Sequence, residues 1–170
     1  MASLYGTLSG AQTYFSTRLH TDAWDLASPS DKSKALYSAA RVIDTLNYKG
    51  RKSSVYTLLQ SNANATDAQI RAADATQEGE FPRDADTVAP ASINIAAYEI
   101  ALSLLDGVNP DSELENLSVV QNTYGGVKAV YNRDQQPIEH LLNGVPSATA
   151  WRILKPFLRD SQQLKFSRVS

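Results

Sequence analysis

The titratable and nucleophilic side chains of this 170-residue chain seldom fall at spacings that chemistry needs. The two histidines, His20 and His140, stand alone. Neither belongs to an HExxH pair or to a carboxylate–histidine spacing that would hold a metal. His20 follows Leu19 near an expected helix end, where a cation is favoured. There is no cysteine, hence no thiolate ligand, redox pair or disulfide framework. No GxSxG, P-loop or GxGxxG pattern occurs, and Gly125-Gly126 alone makes no phosphate cradle. Asn64-Ala65-Thr66 and Asn116-Leu117-Ser118 match glycosylation acceptors, but no secretory leader gives them meaning. The eleven acids between positions 67 and 115 offer no pair in an apolar setting that would raise a pKa for acid–base work. The residues therefore point away from an enzyme, and no catalytic, cofactor-binding or metal site is expected.

A nucleic-acid surface has one candidate stretch, Tyr48-Lys49-Gly50-Arg51-Lys52 with Tyr56, where bases and aromatics interleave as single-strand binders require. Against it stand the acidic balance of the chain, net charge −2, and aromatics that elsewhere fall on helix stripes. The charge is segmented. Residues 67–115 hold eleven acids against Arg71 and Arg83, a local −9. Residues 151–170 hold Arg152, Lys155, Arg159, Lys165 and Arg168 against Asp160, a local +4. An acidic middle with a basic tail is a polarity that docking and self-assembly use.

The elements that must carry these residues are mainly helical. At 42% apolar and 20% charged residues the composition is globular, and the length allows one core. No apolar run is long enough for a membrane helix, and synthesis in the cytoplasm is expected. Ser9-Gly10-Ala11-Gln12 reads as a capping box opening a helix that reaches Thr21 and carries Ala11, Tyr14, Phe15 and Leu19; Trp24 follows as an anchor. Ser28-Pro29-Ser30-Asp31 starts a second helix, striped by Leu36, Ala39, Ala40, Ile43 and Leu46 and closed by Gly50. Val55, Leu58 and Leu59 fit a helical turn. Thr66-Asp67-Ala68-Gln69 is another capping box, before a short alanine-rich surface helix. Pro90 opens the central helix, about 90–106, whose Ile93, Ala96, Ala97, Ile100, Ala101, Leu104 and Leu105 form one broad stripe ended by Asp106-Gly107.

Beyond Gly107 the pattern predicts a β-hairpin over about 117–131, with Leu117–Val120 and Val127–Tyr131 either side of Tyr124-Gly125-Gly126. Val145-Pro146-Ser147 leads to a closing helix with Trp151, Leu154, Phe157 and Leu158, kinked or restarted at Pro156. Residues 1–160 thus make one helical domain with the hairpin inserted, and 161–170 a polar, basic arm.

The order of these features resembles the head–tail connector (adaptor) proteins of tailed bacteriophages, a family often labelled DnaT-like single-stranded DNA-binding proteins. The residues that carry it are Ala11-xx-Tyr14-Phe15-xx-Arg18-Leu19 with Trp24, the Ala39-xxx-Ile43 helix into Tyr48-x-Gly50, Gln77-xxx-Phe81-Pro82-Arg83, and Pro90 before Ala97–Leu105. The segment 52–76 is longer than in similar proteins. The resemblance implies a structural virion protein at the neck of the capsid vertex. It implies a homo-oligomeric ring, commonly a dodecamer, between the portal protein and a tail or second connector protein. DNA would pass through the lumen without sequence-specific binding, and neither cofactor nor membrane is involved.

On that reading Trp151, Phe157, Arg159, Lys165, Phe166 and Arg168 are the portal-docking candidates. Tyr37, Arg41 and Tyr98 lie near a subunit seam, and Tyr124, Gly125, Gly126 and Val127 contact a neighbour or tail component. The acidic 67–115 segment would face the channel. The competing reading is a single-stranded DNA-binding protein of DnaT-like type; a hydrolase lacks any convergent nucleophile and base.

Overall fold

Helix caps set many of the element boundaries in the computed structural model, which describes residues 5–118, 121–124, 127–130 and 139–159. The first helix, α1 (Leu8–Phe15), begins two residues earlier than its sequence signal. Thr7 is the cap, its hydroxyl accepting from the Gly10 amide at 2.9 Å. Gln12, expected to complete a box with Ser9, instead accepts a hydrogen bond from the Trp24 indole at 3.2 Å. The helix also stops early: Ser16 and Thr17 fold their hydroxyls back onto the Thr13 and Tyr14 carbonyls. A short α2 (Asp22–Leu26) presents Trp24 to the core, fully buried.

α3 (Pro29–Asp44) starts as its sequence dictates, with Ser28 accepting from the Asp31 amide and Pro29 in the first turn. It ends at Asp44, six residues before Gly50, which turns a later loop at φ 73°. α4 (Ser53–Ser61) extends the turn expected at Val55, and α5 (Asp67–Thr76) opens on the full capping box. The Gln69 amide donates to the Thr66 hydroxyl, while Gln69 Oε1 accepts from the Thr66 amide at 2.9 Å. α5 buries no residue and packs on α4.

α6 (Ala91–Leu105) follows Pro90, which serves as the N-cap residue and not as the first helical position. Its end is a Schellman motif: Gly107, at φ 83°, donates to Leu104 and Val108 donates to Ser103. The expected single stripe is too narrow a description. Ile93 and all of Ala96–Leu102 are buried, because α3 and α9 press on α6 while α1 and α2 also touch it. A helix covered on most sides has no polar face to spare.

α7 (Pro110–Ser118) carries Asp111 and Glu113 in its first turn, where negative charge is favoured. That helix absorbs Leu117 and Ser118, so the hairpin expected over 117–131 is corrected. What pairs is a ribbon four residues long on each side, β1 (Gln121–Tyr124) antiparallel to β2 (Val127–Val130), with Gln121 opposite Val130. Gly125 and Gly126 lie outside the described residues, as does the expected arm 161–170.

α8 (Glu139–Leu142) leads through Gly144, at φ 71°, to α9 (Ala148–Leu154), which Ser147 caps. Pro156 restarts the chain as a single 3-10 turn, Lys155–Phe157. Among the described residues no single helix is long and apolar enough to cross a membrane.

Candidate functional site

Three chain segments far apart in sequence meet around the loop between α3 and α4. Tyr48 is buried there, its hydroxyl donating to the Ile43 carbonyl at 3.0 Å and its ring edge against Phe81. Arg83 reaches into the loop, Nε donating to the Lys49 carbonyl at 2.7 Å and Nη2 to Gly50 at 3.0 Å. Its other nitrogen is paired with Glu80. Arg159 arrives from the opposite side, Nε donating to the Tyr48 carbonyl at 2.8 Å. Backbone bonds from Lys49 to Phe157 and from Arg159 to Asn47 close the seam. Gly50 is required here: besides its positive φ, a Cβ would collide with the Asp84 carboxylate, which accepts from the Arg51 amide at 2.9 Å.

Beside this junction lies a cleft of about 440 Å³ lined by Arg51, Lys52, Arg71, Arg83 and Arg159, with Asp74 and Glu80. The bases outnumber the acids by three. The Gln77 motif residue holds the wall together, accepting from the Ser54 amide and donating to the Gly79 and Pro82 carbonyls. Gln77, Phe81, Pro82 and Arg83, singled out by order in the sequence, therefore do converge. Asp44 and Tyr5 were missed. Asp44 accepts from the Tyr5 hydroxyl and from the Glu80 amide, tying the N-terminus to the same loop.

The docking candidates fare unevenly. Trp151 is buried in α9, its indole donating to Glu139 at 3.2 Å, and so is no free surface anchor. The Lys155 ammonium and that indole hold the Glu139 carboxyl below its ordinary range. Phe157 packs edge-on to Phe81, and Arg159 is engaged in the loop clasp. Lys165, Phe166 and Arg168 lie outside the described residues.

Of the seam candidates, Tyr37 and Arg41 are exposed and stacked on each other along α3, the guanidinium 5.6 Å from the ring centroid. Tyr98 is corrected: it is buried, its hydroxyl accepting from the Thr7 amide, and its ring lies so close to Gly6 and Gly10 that no side chain fits there. Tyr124 and Val127 fall on β1 and β2, with side-chain surroundings outside the described residues.

The acidic segment is not a bare negative wall. Asp74 and Glu80 pair with Lys52, Glu80 also with Arg83, and Asp84 accepts from the Arg51 amide. Glu99 is buried on α6 at 2% exposure, 3.0 Å from Arg18, and accepts from the Tyr14 hydroxyl at 2.5 Å. The sequence offered no pair of acids in an apolar setting, and Glu99 is a single buried acid engaged by Arg18 and Tyr14. Its signal was available: Glu99 is the only charged residue in Ala91–Leu105. Burial and the Glu99 bond together push the Tyr14 pKa up from 10.0 to about 12, and burial raises Tyr5 and Tyr48 as well.

The folded state thus holds these protons more tightly than the unfolded chain does. The stability they contribute is complete below pH 10, the ordinary tyrosine value, and falls as pH rises through the folded values. Melting temperature is expected to be insensitive to tyrosine ionisation up to pH 10 and to drop between pH 10 and about 12. Tyr14→Phe should make that drop shallower, which thermal scans across the range would read.

A second concavity, about 810 Å³, runs between α2, the first half of α3 and the end of α6. Ala23, Leu26, Ala27, Ala35, Leu104 and Leu105 supply apolar surface, and Asp22, Asp31 and Asp106 a predominantly acidic rim. Leu26 is 88% exposed at its lip. Among the described residues no group of three or more His, Cys, Asp or Glu could hold a metal ion. No protein-family model, curated protein or solved structure matches this chain.

Proposed function

We propose that the chain is a structural subunit of a tailed-phage head–tail connector, assembling into a ring between portal and tail through whose lumen DNA passes. The observation that carries the reading is the uncovered groove between α2, α3 and α6 with Leu26 at its lip. A leucine left almost wholly in water beside further apolar side chains contributes no folding energy to its own chain, and burial against a second copy would recover it. Tyr37 and Arg41 lie on the same helix, one residue and three residues from Ser38 of the groove. They extend the surface with a stacked aromatic and cation, residue types enriched at protein interfaces. Ring closure joins one patch to a different patch on the next copy. Portal docking then falls to residues 161–170, with Lys165, Phe166 and Arg168, since Trp151, Phe157 and Arg159 are engaged within the chain.

The single-stranded DNA reading draws support from the cationic cleft. Tyr48, its best stacking residue, is buried and bonded to Ile43, so the platform that such binding uses is missing at that position.

Sedimentation and particle imaging of the purified full chain test the proposal. Closed rings are expected, and Leu26→Asp should shift them to monomers while the helical circular dichroism is kept. A wild-type chain that stayed monomeric at every concentration, ignored portal rings and bound unpaired DNA tightly would overturn it.

A further inference from the structure

The geometry points to a phosphoryl-oxyanion site in the cleft between the α3–α4 loop, α5 and the 80–84 segment. This inference does not depend on ring assembly. The cleft gathers five cationic side chains from four separate stretches of chain, namely Arg51 and Lys52, Arg71, Arg83, and Arg159. Three of them are fixed. Lys52 donates to the Gln77 carbonyl and pairs with Asp74 and Glu80, while Arg83 and Arg159 are held by the carbonyls of the 48–50 loop. Lys52 and Arg83 are only 14% and 11% exposed, so their charge acts through partly desolvated surroundings and is weakly screened.

The two acids in the lining are both engaged by these fixed cations. The Arg51 and Arg71 guanidinium groups, by contrast, have no partner among the described residues. Five bases against two acids leave the cleft with a local charge of +3. Solvated like charges repel; here the main chain at Arg51 is anchored at the cleft by its amide, which donates to the Asp84 carboxylate. An anion with several oxygens relieves that repulsion, and a guanidinium fork matches two phosphoryl oxygens at once. Val55 and Ile70 line part of the wall with apolar surface, which lowers the local dielectric. A volume near 440 Å³ accepts a pyrophosphate or one phosphodiester with its water, at the small end of ligand-pocket sizes.

The oxyanion can come from free phosphate compounds or from a nucleic-acid backbone. Calorimetric titration of the full chain with inorganic phosphate, pyrophosphate and an oligothymidylate distinguishes them. Saturable pyrophosphate binding is expected, weakened about tenfold to hundredfold by the double variant Arg51→Gln with Arg71→Gln, since charge-assisted bonds are lost. Both side chains are exposed and without a partner among the described residues, so the variant should melt like the wild type. Arg41→Gln, on the exposed face of α3 and outside the cleft lining, should leave affinity within about twofold, as an exposed charge is screened. Pyrophosphate binding that the oligonucleotide does not displace identifies free phosphate compounds as the source, and displacement identifies the backbone. Absence of saturable binding by all three at millimolar concentration overturns the site, as does binding unchanged in the double variant.

Discussion

Replacing Glu99 by alanine should lower the free energy of unfolding by about 3 kcal/mol, the loss seen when one member of a buried ion pair is removed. Glu99 sits at 2% exposure in the middle of α6 and is the shared partner of Arg18 and of the Tyr14 hydroxyl. Arg18 keeps 32% of its side chain exposed, so part of its charge can return to water, which places the loss at the low end of the range. One guanidinium nitrogen, Arg18 Nη1, is already buried without a partner, and it would gain none. For a chain of this length the melting temperature should drop by roughly 6–12 °C. Urea unfolding of Glu99→Ala reads the effect. The double variant Glu99→Leu with Arg18→Leu separates the causes: with both charges gone, most of the stability should return. A double variant as unstable as the single one would mean that packing, and not the orphaned charge, sets the cost.

Trp24→Ala should cost more, about 3–5 kcal/mol, as truncations of large buried aromatics do. Trp24 is fully buried, its ring 4.7 Å from that of Phe15, its indole bonded to Gln12, and Lys32 lies 5.4 Å above it. It is the only buried residue of α2, a helix of five residues that cannot persist alone. Its loss therefore undocks α2, and Ala23 and Leu26 leave the groove with it. The variant should lose both stability and ring formation, whereas Leu26→Asp should lose ring formation alone. Chemical unfolding of the two proteins beside their sedimentation profiles would reveal that divergence. Equal stability losses in both would count against the assignment of Leu26 to an outward surface.

These two variants differ in how visible their sites are before the chain folds. Trp24 reads as an anchor in the sequence, because a large aromatic between two helix signals has nowhere else to go. Glu99 stands out in the sequence only as the single charge of an apolar helix, and its partners Arg18 and Tyr14 are set by packing. The basic cleft lies between these cases. The run from Tyr48 to Lys52 is conspicuous, yet its aromatic faces the core, and Arg71, Arg83 and Arg159 join it from 20 to 108 residues away.

The sequence by itself determined what local chemistry controls: the Ser28-Pro29 start, the Thr66–Gln69 box and the Gly107 stop. Each is settled by hydrogen bonds reaching at most five residues along the chain. Even there Thr7 displaced Ser9, since two hydroxyls a half-turn apart compete for neighbouring amides and the difference is small. The tertiary structure alone decided the Tyr14–Arg18–Glu99 cluster, the clasp of Arg83 and Arg159 on the 48–50 loop, the burial of Tyr98 and the open groove at Leu26. Those depend on which helix faces meet, and that choice is made by burying apolar surface across the whole core, a force with no direction and no fixed spacing in sequence.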